Sequence, residues 1–311
     1  MNTLNRKAWG DLTRHRARTL LTAFSLSLAI ASLGFLAVPS LLNAAMNRQV
    51  AESHLNDVGI FTNVINLTPA QLSVVGDIVG GTTVLDVADP SGDDNGPGTY
   101  QYPTSPDFAA GSFDITRFQV IALGSTVYLR TTLRTLVPTF GNVMGAQLLD
   151  IYVHTPAGTP TSTAAAFPSR NYTIADPWSQ RLEVQGFASP NWVNANGNSL
   201  GTPAVVASTV ANTITIALPA SAFGTPATGW GFAEVLTGQD GFSSDQARSF
   251  AATPQPFAFG VCAGGNTAPI CSANPTTVPK AVDVLTPPGV SQSTELNPTT
   301  GPVAIRAVPV S

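Results

Sequence analysis

Apolar and polar residues alternate along most of the chain after residue 86, in short segments separated by glycine, proline or asparagine. This two-residue period places successive side chains on opposite faces of a strand, whereas an amphipathic helix repeats every three to four residues. We therefore predict a mainly β fold, an antiparallel β-sandwich. The segments predicted as strands are 118–123, 126–133, 146–154, 180–187, 203–210, 212–218, 231–237, 282–285 and 302–310, with one helical turn at 219–223.

The N-terminal part has a different pattern. Residues 19–38 read TLLTAFSLSLAIASLGFLAV without a single charge, and the apolar character continues to Met46. A helix of this run, rising about 1.5 Å per residue, matches a bilayer core of about 30 Å. We predict one transmembrane helix over residues 19–46. The alternative is a cleaved signal peptide, although the apolar stretch exceeds the length usual for one.

Charge around this run predicts its orientation. Basic residues precede it and only Arg48 follows closely, so the positive-inside rule places residues 1–18 in the cytoplasm and the main domain outside. The predicted localisation is thus the cell membrane, with a single pass. The basic residues concerned are Arg6, Lys7, Arg14, Arg16 and Arg18.

Composition narrows the classes of partner. Only 10% of residues are charged and the formal net charge is −4, so we expect no nucleic-acid binding. The 27 glycines and 25 prolines fit a turn-rich β domain.

One turn concentrates acidic side chains. The segment ADPSGDDNGPG carries Asp89, Asp93, Asp94 and Asn95, and Asp86 comes just before it. Calcium prefers six to eight oxygen ligands, which a glycine-rich loop of carboxylates and carbonyls can supply. We therefore expect a calcium site here; a solvated turn capped by its own side chains is the alternative.

Catalytic patterns are weak. Residues 197–201 fit the G-x-S-x-G string of hydrolases, but a glycine turn precedes it, a strand follows it and no histidine lies downstream. Asp240 and Asp245 are spaced as a carboxylate pair, yet a turn-capping role explains them more simply. We predict that the chain is not an enzyme; a secreted glycoside-active enzyme is the alternative.

Two tryptophans are candidates for binding sugar. Trp178 follows a proline and Trp192 sits among asparagines, and an exposed indole can stack on a sugar ring. Core packing is the alternative for each.

The two cysteines, Cys262 and Cys271, are predicted to form a disulfide in an oxidising compartment.

The N-terminal residues RKAWGDLTRHRARTLLTAFSLSLAIASLGFL, together with 67–87, resemble ABC-transporter permeases of the lipoprotein-release and macrolide-export type. The resemblance covers residues 1–87, and no further membrane span is predicted after it. It implies a second function, an accessory or truncated component of such a permease system, with a transporter or surface protein as partner.

Most of residues 86–310 resembles the C-terminal domain of glucodextranases. The resemblance implies a DOMON-like β-sandwich that is non-catalytic and either binds polysaccharide or cell-envelope glycan or organises the cell surface. With it, we divide the chain into a cytoplasmic segment, a membrane helix, a linker over 47–85 and a domain over 86–311. The segments that carry the resemblance are 89–120, 148–156, 167–178, 230–252 and 282–292.

Overall fold

Short strands dominate the part of the protein seen in its computed structural model, which describes residues 78, 81–158, 160–241, 244–250, 252 and 278–311. Two helices of four residues, α1 (Ala220–Phe223) and α2 (Gln292–Glu295), and a 3-10 turn at Pro168–Arg170 accompany them. The strands are β1 (Thr82–Ala88), β2 (Ile115–Leu123), β3 (Thr126–Leu133), β4 (Gln147–His154), β5 (Ser162–Ala164), β6 (Thr173–Trp178), β7 (Gln180–Gln185), β8 (Asn191–Asn194), β9 (Ser199–Gly201), β10 (Ala204–Ser208), β11 (Thr213–Pro219), β12 (Gly231–Gln239), β13 (Ala247–Arg248), β14 (Asp283–Val284), β15 (Ala304–Ile305) and β16 (Val308–Pro309).

The strands form two main antiparallel sheets. The smaller sheet has five strands in the order β1-β2-β3-β11-β10. The larger has eight, running β13-β12-β4-β7-β8-β9, with β14 and β16 also pairing with β12. Facing side chains of the two sheets build one core, in which the rings of Phe118 on β2 and Phe232 on β12 lie 5.6 Å apart. This is the predicted sandwich.

The larger sheet is covered on its other face as well. A three-stranded sheet has the order β15-β6-β5. Its residues Trp178 and Ile305 form a second apolar cluster with Tyr152 and Val235 of the larger sheet. Strand β12 is consequently buried at every position, including its polar residues Glu234, Thr237 and Gln239. The pairing of β15 with β6 is parallel.

Most of the predicted elements are confirmed. Each of the nine predicted segments contains a strand, with two in residues 302–310, and α1 lies within the predicted helical turn. The first strand, β1, begins at Thr82, so residues 82–85 belong to the smaller sheet rather than to the linker predicted over 47–85.

The predictions for the N-terminal part of the chain concern residues that mostly lie outside the described ranges. The transmembrane helix over 19–46, the basic segment 1–18 and nearly all of the permease-like stretch lie outside the described residues. Within the residues that are described, no helix has the length and apolarity needed to cross a membrane.

Candidate functional site

The acidic turn lies between β1 and β2 and is folded back onto the C-terminal part of the chain. Its Gly96 has a φ of +59°, a left-handed conformation that glycine adopts at little cost, and its N–H donates to the carbonyl of Val282 at 2.8 Å. Gln292 on α2 bridges the same two segments, because its Nε2 donates to the carbonyls of Asp93 and Val282. The turn is therefore fixed against residues almost 200 positions away.

This fold brings three carboxylates together. One oxygen each from Asp89, Asp93 and Asp283 lie within 4.8 Å of one another. Asp89 is held by Thr286, whose N–H donates to Oδ1 at 3.1 Å. Asp283 is fully buried and accepts from the N–H of Ile115 at 2.5 Å and of Val284 at 2.8 Å. The three carboxylates form what we call the acidic centre.

Burial raises the pKa values of all three carboxyl groups of the acidic centre. Burial, with the nearby charge of Asp93, raises the pKa of Asp89 to about 7. Burial likewise raises the pKa of Asp93 to about 6, and that of Asp283 well above its ordinary value. Each carboxylate makes ionisation of its neighbours more costly.

Several carboxylate oxygens at the acidic centre are also without a hydrogen bond. Asp89, which is 7% exposed, has Oδ1 occupied by Thr286 but Oδ2 without a partner. Oδ1 of Asp93 and Oδ1 of the neighbouring, fully buried Asp114 are unpartnered too. Buried polar atoms nearly always have a hydrogen-bond partner, so these oxygens are unusual.

The other residues predicted for the calcium site are not part of the acidic centre. Asp86 is exposed on β1 and pairs with Arg117 at 2.5 Å. Asp94 accepts a hydrogen bond from the hydroxyl of Tyr102, and Asn95 contributes backbone bonds to the turn. Asp283, in contrast, was missed, because almost 200 residues separate it from the acidic turn and only the fold brings them together.

The two tryptophans proposed as sugar platforms are core residues, so this prediction is wrong. Trp192 is 1% exposed, and its Nε1 donates to Oε1 of Gln180 at 3.0 Å. Trp178 is 5% exposed and donates to the carbonyl of Ala164 at 2.9 Å. Both indole rings have their faces covered by protein, and neither is available for stacking.

Two phenylalanines are the exposed aromatics of the described residues. Phe140 is 50% and Phe187 is 51% exposed. Phe140 stands at the tip of a two-residue turn, where Thr139 and Asn142 exchange backbone hydrogen bonds of 2.8 and 3.0 Å. Phe140 and Gly141 both have positive φ, +53° and +80°, as in the type I′ turns of hairpins. A bulky aromatic side chain is rare in that conformation.

The two exposed rings belong to one end of the sandwich. Asn142, two residues after Phe140, donates through Nδ2 to the carbonyl of Gly186 at 2.5 Å, directly before Phe187. Gln185 comes directly before Gly186 in the chain, and its Nε2 donates to Oε1 of Gln246. We call the surface formed by Phe140, Phe187 and their neighbouring amides the aromatic edge.

The candidate carboxylate pair is structural. Asp245 accepts from Arg170 and from Lys280, both at 2.7 Å, and Asp240 forms an ion pair with Arg248. Each carboxylate is thus neutralised by a cation.

Ser199 of the hydrolase-like string opens the short strand β9, without the helix that such a nucleophile requires. Cys262 and Cys271 lie outside the described residues, and their pairing stays a prediction.

Comparison with known proteins gives one clear relation. No curated protein matches the chain significantly. The family model of the C-terminal, SLH-like binding module of glucodextranase matches residues 84–310, which includes every strand after β1 and most of β1 itself. The match is to a binding module and not to a catalytic domain. The chain therefore belongs to the family of glucodextranase C-terminal binding modules.

Proposed function

We propose that the chain is a membrane-anchored, extracytoplasmic and non-catalytic module that binds neutral polysaccharide. The observation that carries this proposal is the family match over residues 84–310, because the family is one of binding modules attached to a polysaccharide-degrading enzyme. The uncharged run at 19–38, with the basic residues before it, supports the anchor.

The aromatic edge is the surface that best fits a sugar. An exposed aromatic ring covers the apolar face of a pyranose, while amide groups beside it bond the hydroxyls. Phe140 and Phe187 supply two such rings, and Asn142 and Gln246 are partly exposed amides of the same surface. Uncharged amide groups favour a neutral over an anionic sugar.

The turn at Phe140 supports a functional role for its ring. A left-handed conformation costs an ordinary residue roughly 1–2 kcal/mol, a cost that asparagine or glycine would avoid. Strain of this kind is concentrated at binding and catalytic sites. One side of the Phe140 ring lies edge-to-face with buried Phe108, with the centroids 6.2 Å apart, and the exposed half is the part open to a ligand.

Affinity should be modest. A shallow site that stacks one or two sugar rings gives only a few kcal/mol after the ordering costs, which corresponds to dissociation constants of roughly micromolar to millimolar. Added salt should change the affinity little, because few charges are engaged.

The test is binding to α-glucans and to cell-wall polysaccharide, measured by affinity electrophoresis and pull-down with the full-length chain in detergent. Phe140→Ala and Phe187→Ala should each weaken binding without a large loss of thermal stability, since both rings are half exposed. Phe187→Tyr should retain binding, because it keeps the ring, whereas Phe187→Leu should lose it. Val210→Ala is the matched control, since Val210 is 52% exposed but offers no ring.

Three outcomes would contradict the proposal. Blank results with every polysaccharide would argue for a protein-contact module. Equal losses for Val210→Ala and Phe187→Ala would mean that general apolar exposure, not stacking, drives retention. Full binding by a double Phe140→Ala, Phe187→Ala variant would show that sugar binds at a different surface.

A further inference from the structure

We infer that Asp89, Asp93 and Asp283 bind one calcium ion, which joins the acidic turn to the C-terminal segment 282–286. The basis is the approach of their three carboxylate oxygens to within 4.8 Å. Asp89 and Asp283 are more than nine-tenths buried, and Asp93 is partly exposed, so an ion would enter from the side of Asp93.

The unpartnered oxygens are an independent reason to place a cation here. Oδ2 of Asp89 and Oδ1 of Asp93 have no hydrogen-bond donor, although Oδ1 of Asp89 accepts from Thr286. The fully buried Asp114 adds a further unpartnered oxygen next to the acidic centre. A donor-free oxygen in a buried, negatively charged group is what a metal ligand looks like without its metal.

Local charge leads to the same conclusion. Among the described cations, Arg134 is the one that reaches this region, where its Nε lies 3.0 Å from Asp114 and its Nη2 lies 3.8 Å from Asp94. No described cation pairs with any of the three carboxylates of the acidic centre. A divalent ion would offset this concentration of negative charge.

The donor set selects calcium. All three side chains offer hard oxygen atoms, and within the described residues no histidine or cysteine accompanies them. Such ligands suit calcium or magnesium, not zinc or copper. Calcium accepts an irregular arrangement of six to eight oxygens, whereas magnesium requires a near-ideal octahedron. An irregular glycine turn facing a two-residue strand fits calcium.

The ion would have a structural role where the two main sheets of the sandwich meet. Asp89 follows β1 of the smaller sheet, and Asp283 starts β14, which pairs with β12 of the larger sheet. Asp283 also accepts the N–H of Ile115 at the start of β2. Binding at this point would fasten the two sheets to each other and the turn to both.

The experiment uses the full-length chain in detergent, freed of metal with a chelator and titrated with calcium chloride by calorimetry. We expect one ion per chain with a dissociation constant of about 10⁻⁶ to 10⁻³ M, the range from sensor sites to extracellular modules. The melting temperature should rise by several degrees with calcium and fall with chelator, because the ion binds only the folded state.

Variants locate the ion. Asp89→Asn and Asp283→Asn should weaken calcium binding more than about tenfold, since affinity depends on the number of charged ligands. Asp86→Asn is the matched control, because Asp86 belongs to the same acidic stretch but pairs with Arg117 on the surface. It should leave the affinity unchanged.

Two results would overturn the inference: no heat and no melting shift up to about 10 mM calcium, well above the range of natural sites, or an equal loss of affinity in Asp86→Asn. If the buried variants fail to fold, the partly exposed Asp93→Asn decides. Its loss of binding supports the site, and unchanged binding contradicts it. Glycan binding is measured separately, with the variants of the aromatic edge, so failure of one proposal does not contradict the other.

Discussion

At the scale of single residues, the turn at Phe140 allows a direct test of backbone strain. Phe140→Asn and Phe140→Ala both remove the ring, but asparagine tolerates the left-handed conformation better than alanine. We expect the asparagine variant to be the more stable by about 1 kcal/mol in urea unfolding, while both variants lose sugar binding.

The same pair of substitutions at Phe187 is the control. Phe187 is equally exposed but is not among the described residues with positive φ. Its asparagine and alanine variants should therefore agree within about 0.5 kcal/mol, as is usual for surface positions. Equal stability of the two Phe140 variants would show that the turn does not keep its left-handed conformation in solution.

Individual residues were the least predictable part of the sequence. Trp192 sits among asparagines, but residues 191–194 form β8, in which Trp192 and Val193 are both buried between more exposed asparagines. A strand of four residues is too short to be recognised from its sequence pattern. The acidic turn supplies Asp89 and Asp93 to the acidic centre, but Asp86, Asp94 and Asn95 lie outside it, and Asp283 could be found only from the fold.

At the scale of elements, a single arginine links parts of the larger sheet. The 3-10 turn at Pro168–Arg170 carries the fully buried Arg170 to Asp150 on β4, Glu183 on β7 and Asp245. Burial by itself would raise the pKa of Asp245, but the charge of Arg170 and the hydrogen bonds from Lys280 and Ser169 lower it overall. The guanidinium is the centre of this network.

Removal of that cation should be severely destabilising. Arg170→Met leaves buried carboxylates uncompensated, and we expect a loss of about 3–5 kcal/mol in the free energy of unfolding, measured in urea at neutral pH. Arg117→Met is the control, because the pair of Arg117 with Asp86 is exposed on both sides and should contribute at most about 1 kcal/mol. Similar losses in the two variants would rule out a central role for the network.

Strand prediction succeeded where burial determined the sequence. Strands β4 and β12 are covered on both faces, so their apolar runs stand out against the turns around them. Six of the described strands were missed. Three of them, β5, β9 and β13, have only two or three residues. The longer ones, β1, β6 and β8, have at most half of their positions buried. Their existence depends on tertiary contacts that no local pattern contains.

At the scale of the whole molecule, the first and last segments of the described domain contact each other. The acidic turn after β1 contacts residues 282–286 and Gln292, and β16 pairs with the central strand β12. Contacts this distant in sequence form late and make folding slow. Calcium at the acidic centre would act on this closure, which is why its expected effect is on stability.

The orientation of the predicted membrane anchor is also a property of the whole molecule. Five basic residues precede the uncharged run and only Arg48 follows it closely, so we expect the domain to lie outside the cytoplasm. A reporter enzyme that is active only outside, fused after Ser311, should be active in cells and should stay with the membrane fraction after an alkaline wash. The same reporter fused before Met1 should be inactive.

Cysteine chemistry provides a second measurement of this topology. If the domain lies in an oxidising compartment, Cys262 and Cys271 should pair, and the denatured, unreduced protein should contain no free thiol. Closing so short a loop would add roughly 2–3 kcal/mol of stability in the chain-entropy model. Replacing Arg14, Arg16 and Arg18 by asparagine should weaken the orientation and leave part of the thiols free. Activity of the N-terminal fusion alone, or two free thiols in the wild-type protein, would contradict an extracytoplasmic domain.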